Sequence, residues 1–280
     1  MADLNSGPTL LILGVAKAGT TTLFNLLDSL PQFMGCLSKE PRYFSMNYFY
    51  EKGPDWYHAQ FNQQSPAIKF EAAPHYLYFP HVPERVAAYQ QQVKNEMKFI
   101  VLLREPAARC YSAWNMERSF HKNRSTEIIE NHYKYYNPDI RDSLTELLLR
   151  SEFPSFQQAV SDDINRFNCN EELLEPSYVR KGLYARQVLH WLNWFGLEKF
   201  LFIEYRELSQ HIRVIQKIGE FLNVEIKPYI NLSANLRLNV GDYLTLSTEN
   251  RKVIAMLKKL YTPHNEKLFE IIGKRFDWND

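Results

Sequence analysis

Residues 14–23 read GVAKAGTTTL and follow the apolar run TLLIL at 9–13. A glycine-rich turn between a buried strand and a helix is a way of holding phosphate, because backbone N–H groups and the positive helix end converge on the anion. Gly14 and Gly19 keep the G-x-x-x-x-G spacing of the nucleotide-triphosphatase loop, but Thr20 stands where that motif has its lysine. The lysine here is Lys17, inside the loop. Thr20, Thr21 and Thr22 add hydroxyls to the amides of a helix start. Thr20 and Thr21 are therefore candidates for a terminal phosphate, with Lys17 as a point charge over it. A mere tight turn is the plainer reading of the same residues.

A second stretch, LLREPAARCYSAW at 102–114, places Arg104 at the end of a strongly apolar run and Ser112 about one turn into the helix that follows. An arginine and a helix-borne hydroxyl make a second anion site at a strand end, where open α/β sheets bind ligands. The alternative is an arginine paired with a core carboxylate, and the residues alone leave both open. No apolar run ends in the aspartate that holds magnesium in a triphosphatase: FIVLL ends in Arg104 and KFLFI in Glu204 and Tyr205. Two anion sites on adjacent strand ends suit a nucleotide phosphorylated at both its 5′ and 3′ positions.

Elements must position these residues. TLLILG (9–14), AIKFEA (67–72), MKFIVLLR (97–104) and KFLFIEY (199–205) read as strands, and MKFIVLLR has the continuous apolar run of a central parallel strand. Helices are expected from Thr20 to about Leu30, over VPERVAAYQQQV (82–93) with proline near its start, from near Ala107, and where Ile215, Ile218 and Leu222 recur at helical spacing. The alternation predicts an α/β fold of three layers, a mostly parallel sheet between helices, as one domain over 1–280. Between about 117 and 180 the strand pattern stops. From Glu117 to Pro176 there are 12 acidic and 7 basic residues, a net of −5. This variable helical stretch reads either as a lid or acceptor region or as a solvated elaboration.

Composition bounds the function. The 280 residues carry 33 basic and 32 acidic side chains, without the basic excess usual for a nucleic-acid or polyanion partner. Cys36, Cys110 and Cys169 are odd in number and form no C-x-x-C pair, which argues against a disulfide framework or zinc site and for a reducing compartment. The eight histidines show no metal-ligand pair, so no metal is expected. No signal peptide or run of about 18 apolar residues is evident. A chain of the cytoplasm, without a membrane or nucleic-acid partner, is the expectation; its oligomeric state is not legible. Trp191 and Trp194 read as core rather than as cofactor stacking.

GVAKAGTTTL resembles the 5′-phosphosulfate loop of sulfotransferases, whose lysine precedes the second glycine, and LLREPAARCYSAW resembles their 3′-phosphate motif R-x-P-x-x-R-x-x-S. The resemblance, closest to the heparan-sulfate-type branch and its bacterial relatives, continues through KEPRYFS (39–45), FEAAPHYLYFPHVPERV (70–86), GLYARQVLHWLNWFGLEKFLFIEYREL (182–208) and LYTPHNEKLFEIIGKRFDW (260–278). It implies 3′-phosphoadenosine 5′-phosphosulfate as donor, leaving adenosine 3′,5′-bisphosphate, and no metal. It assigns Lys17, Ala18, Gly19, Thr20, Thr21 and Thr22 to the 5′-phosphosulfate. It assigns Arg104 and Ser112 to the 3′-phosphate, and Arg237 in NLRLN to a late loop over the nucleotide. Tyr184 and Arg180 are further candidates to approach the nucleotide.

Glu40 aligns with the family's catalytic glutamate, as the base that takes the acceptor's proton. Read without the family, it is a surface acid paired with Lys39 or Arg42. The family's lysine after the glutamate of the second strand is missing: this chain reads Phe70-Glu71-Ala72, Lys69 faces away from position 72, and His75 or a residue of the acceptor region is the expected partial stand-in. The expected acceptor is a hydroxyl or amine/guanidine of a small molecule such as a bacterial secondary metabolite. A carrier-bound acyl chain or a polysaccharide is the alternative. A small-molecule kinase or a non-catalytic nucleotide binder is the alternative of another class.

Overall fold

In a computed structural model of the chain, residues 7–123, 147–148, 150–168, 177–226 and 246–278 are described. They divide into two compact units, one drawn from 1–104 and 187–239, the other from 105–186 and 240–280.

The first unit holds a five-stranded sheet of β1 (Leu10–Gly14), β2 (Phe33–Gly35), β3 (Ile68–Ala72), β4 (Lys98–Leu103) and β5 (Phe200–Glu204). Its order is β2-β3-β1-β4-β5, and every pairing is parallel. β1 and β4 lie in the middle, and Leu10–Leu13 and Phe99–Leu103 are wholly buried, as a strand covered on both faces must be. The chain leaves β1 for the β2–β3 side and later returns past it to β4. The turn after β1 thus sits where the winding reverses, the place where an open parallel sheet leaves a crevice at its C-terminal edge.

Helix α1 (Thr20–Asp28) follows β1 directly and buries Leu23, Phe24, Leu26 and Leu27. The short α2 (Asn47–Tyr50) and α3 (Gly53–His58) precede β3, and α4 (Val82–Val93) has the expected bounds, with Pro83 in its first turn. Strand β2 has only three residues and no alternating pattern, so its sequence gave no strand signal.

The second unit packs α5 (Pro106–Lys122), α6 (Phe156–Asn168) and α9 (Thr248–Ile272) around Cys110, Trp114, Phe156, Val160, Tyr178, Leu257 and Tyr261. Between α6 and α9 in the chain come α7 (Tyr184–Leu192) and α8 (His211–Leu222). Within the acidic variable stretch, residues 124–146, 149 and 169–176 lie outside the described residues. Trp191 is fully buried against Phe99 and Phe195, whereas Trp194 is 44% exposed and not core as expected.

Candidate active site

The turn after β1 is held from both sides by neighbouring strand ends. Val15 N–H donates to Leu102 O (2.8 Å) and Ala16 N–H to Pro74 O (3.1 Å). Gly14 has φ 140°, and a Cβ there would stand 2.6 Å from Pro74 O, so that close approach requires glycine. Ala18 is buried beneath the loop, its N–H closing a turn onto Val15 O. Gly19, at φ 86°, is the N-cap of α1 and offers no side chain to its amides. The N–H groups of Gly19, Thr20, Thr21 and Thr22 have no acceptor among the described residues. This is a helix start with its positive end uncapped, the arrangement that receives an anion. In α5 the opposite holds: the Glu105 carboxylate accepts from Ala107 N–H and Ala108 N–H, so that helix end is already satisfied.

Lys17 adopts φ 71°, and its carbonyl accepts from Arg104 Nη1 at 2.9 Å. The Arg104 guanidinium also lies over the Tyr205 ring, 4.7 Å from its centroid. Arg104 therefore braces the loop in addition to any role toward a ligand. Glu204, at the end of β5, is buried and occupied as a cap: its carboxylate accepts from Arg206 N–H at 2.7 Å.

Glu40 lies in the turn after β2. Cys36 N–H donates to Phe70 O (2.8 Å), Ala72 N–H to Lys39 O (3.0 Å), and Phe44 N–H to the Tyr76 hydroxyl (3.2 Å), so the turn is laid along β3. Lys39 Nζ bonds Glu40 Oε1 at 2.6 Å, which is the pairing that the plain reading of Glu40 foresaw. Both side chains are partly buried, at 18% and 27% exposure, and Lys39 Nζ also donates to Ala72 O at 3.3 Å. Arg42 makes no side-chain hydrogen bond or ion pair among the described residues.

Among the described residues, five non-glycine residues have positive φ. Lys94 and Asn223 are the left-handed C-caps of α4 and α8, which is ordinary helix termination. The other three, Lys17, Lys39 and Arg42, stand in the turns after β1 and β2. Each costs on the order of 1–2 kcal/mol, and strain of that kind collects at functional sites. His75 follows Pro74, with its ring tilted against Phe79 at 6.0 Å and its carbonyl accepting from Tyr78 N–H.

Under the Glu40 turn lies a buried carboxyl that the sequence did not single out. Glu71 is 0% exposed, with Tyr57 and Tyr76 donating hydroxyl hydrogen bonds to it. Lys69 and Glu71 are two apart on β3 and so share a face, and that alternation was the available signal. Burial pushes the Glu71 carboxyl from its ordinary 4.5 to about 8, against the lowering pull of the two tyrosines and Lys39. Between those values the native state keeps a proton that the unfolded chain has lost, so stability falls as pH rises through the window and levels off above it. The loss is of the order of 5 kcal/mol at most. Glu71→Gln is expected to flatten this dependence: its thermal midpoints at pH 5 and pH 8.5 should differ much less than those of the wild type. An unchanged difference would assign the slope to another group.

In the second unit Ser112 is buried at 1% exposure on α5. Arg109, the second arginine of the same motif, is equally buried and donates to the Tyr178 carbonyl, so it holds the chain before α7 rather than facing solvent. Tyr184 is buried, its ring 6.0 Å from that of Trp278, and Arg180 is half-buried at the preceding turn. Arg237 lies outside the described residues. Among the described residues no group of three or more His, Cys, Asp or Glu could hold a metal ion, and no helix is long and apolar enough to cross a membrane.

A parallel sheet with a glycine turn at its winding reversal, a lysine inside that turn and a braced arginine just past the end of β4 make an α/β arrangement suited to an anionic ligand. The profile of the sulfotransferase domain matches residues 8–278, and the chain belongs to that family of transferases. Among similar proteins is heparan sulfate glucosamine 3-O-sulfotransferase 5 of Mus musculus, 24% identical over 97% of this chain and 74% of its own. The membrane-associated sulfotransferase kil1 of Dictyostelium discoideum is 24% identical over 98% of this chain and 67% of its own. A solved sulfotransferase of Alicyclobacillus acidocaldarius shares the fold, with a TM-score of 0.64, 20% identity and coverage of 98% of this chain and 99% of that one.

Proposed function

We propose that this sulfotransferase takes its sulfuryl group from 3′-phosphoadenosine 5′-phosphosulfate and passes it to a hydroxyl or amine/guanidine of a small molecule. The observation that carries the donor is the α1 start. Four amides from Gly19 to Thr22 have no acceptor among the described residues, beside a lysine held in the left-handed region. Backbone amides there suit the 5′-phosphosulfate, and Lys17 suits the bridging oxygen, where negative charge grows as the S–O bond breaks. Arg104 suits the 3′-phosphate, since a guanidinium can fork two N–H groups onto one phosphate.

A magnesium-triphosphate donor is the poorer match, because the carboxylates at the ends of β3 and β5 are committed. Glu71 is buried between tyrosines and Glu204 is capping the following turn. The near-neutral charge and the acidic 117–176 stretch favour a neutral or cationic small acceptor, for example a secondary metabolite, over a polyanion. The free, buried Cys36 and Cys110 favour a reducing cytoplasmic setting. The heparan sulfate enzymes among the relatives keep a polysaccharide acceptor as the second reading.

Calorimetric titration with adenosine 3′,5′-bisphosphate, beside ATP with magnesium, tests the donor. The bisphosphate is expected to bind, and Arg104→Ala to weaken it roughly tenfold or more, the worth of a charge-assisted contact. Binding of ATP with magnesium and no response to the bisphosphate would overturn the reading and promote the kinase.

A further inference from the structure

We propose that Lys39 is a positioning residue of the reaction centre. On the reading above, its ammonium holds the Glu40 carboxylate at the end of β3, where the acceptor's proton must be taken. Residue 39 grips residue 72 twice: Ala72 N–H donates to Lys39 O at 3.0 Å, and Lys39 Nζ donates to Ala72 O at 3.3 Å. The same Nζ reaches Glu40 Oε1 at 2.6 Å. Two of the three ammonium hydrogens are thus directed, one to the strand and one to the carboxylate. The Glu40 side chain is tied through Lys39 to the sheet instead of swinging on its own turn.

The tie lies beside the phosphate turn. Pro74 O, which accepts from Ala16 N–H, is two residues beyond Ala72, a span of at most about 7 Å. The carboxylate and the turn that carries Lys17 therefore hang from one short segment, Ala72 to Pro74. Stability does not explain the arrangement. A pair exposed to this degree contributes about 0–1 kcal/mol, while the left-handed backbone of Lys39, at φ 60°, costs on the order of 1–2 kcal/mol. Position 72, where the resemblance leads one to look for a lysine, is alanine, and the Lys39 ammonium sits on that residue's own carbonyl.

The test is single-turnover release of adenosine 3′,5′-bisphosphate from 3′-phosphoadenosine 5′-phosphosulfate, with water or an identified acceptor, together with calorimetry of the bisphosphate. In the step measured, the acceptor oxygen bonds to sulfur, the bridging S–O bond breaks toward the bisphosphate, and the acceptor proton goes to Glu40. Lys39→Met is expected to lower the rate roughly tenfold or more with bisphosphate affinity within about threefold, and Lys39→Arg to recover most of that loss. The double variant with Glu40→Gln should be no more than about twofold slower than Glu40→Gln alone, because the two act as a unit.

A Lys39→Met rate near wild type, or losses that multiply in the double variant, would overturn the proposal. Bisphosphate binding lost in both Lys39→Met and Lys39→Gln would also do so, since Lys39 would then build the donor site. A wild-type chain that binds no bisphosphate fails one stage earlier and removes the donor reading and this inference together; one that binds it and turns over no donor keeps the donor reading and overturns this inference.

Discussion

Glu40→Gln is expected to slow sulfuryl transfer about 10²–10⁴-fold, the usual worth of a positioned general base. Affinity for adenosine 3′,5′-bisphosphate should stay within about threefold, because Glu40 stands on the turn after β2 and the amides assigned to the donor start α1. Glutamine keeps the size and one carbonyl acceptor for Lys39 but takes up no proton at neutral pH. The loss therefore belongs to proton removal and not to a collapsed turn. Single-turnover rates and calorimetry on the same preparations separate the two. A rate within about threefold of wild type would remove Glu40 as the base and leave it as the surface ion pair its sequence context also suggests.

Lys17→Met should cost about 10²–10³-fold in rate, the effect of removing one charge-stabilising donor from a preorganised site. Because Lys17 has φ 71°, a loss could also come from disturbing the backbone of the turn. Lys17→Gly resolves that ambiguity. Glycine favours positive φ and should keep or improve the turn by up to about 1 kcal/mol, while the charge is gone. Both variants should therefore be slow, and Lys17→Gly should melt no lower than wild type. A fast Lys17→Gly enzyme would show that the turn's shape matters and the ammonium does not.

These two expectations concern residues that the sequence exposed, for a physical reason. The turn after β1 is local: its glycines, threonines and flanking apolar run lie within fifteen residues, and each local preference agrees with the strand–turn–helix that forms. The strands β1, β4 and β5 were legible because burial on both faces demands unbroken apolar runs, and β3 because Ile68, Phe70 and Ala72 alternate with Lys69 and Glu71. Strand β2 was not, since three residues carry no period; only its parallel pairing with β3 makes it a strand. Trp194 was misplaced because helical spacing alone does not say where a helix face ends, and it sits past the last turn of α7.

By itself, then, the sequence determined four of the five strands, the glycine turn after β1 and the family to which the chain belongs. Tertiary structure alone decided what the charged side chains do within that frame. Arg104 reaches the carbonyl of Lys17 across 87 residues, and Lys39 reaches the carbonyl of Ala72 across 33. Glu71 is a carboxyl buried beneath Tyr57 and Tyr76, and its burial raises its pKa against the pull of their hydrogen bonds. Periodicity is a property of neighbouring residues, whereas these contacts depend on strand register and on left-handed turns. Those are fixed only when the sheet assembles and burial selects which distant groups meet.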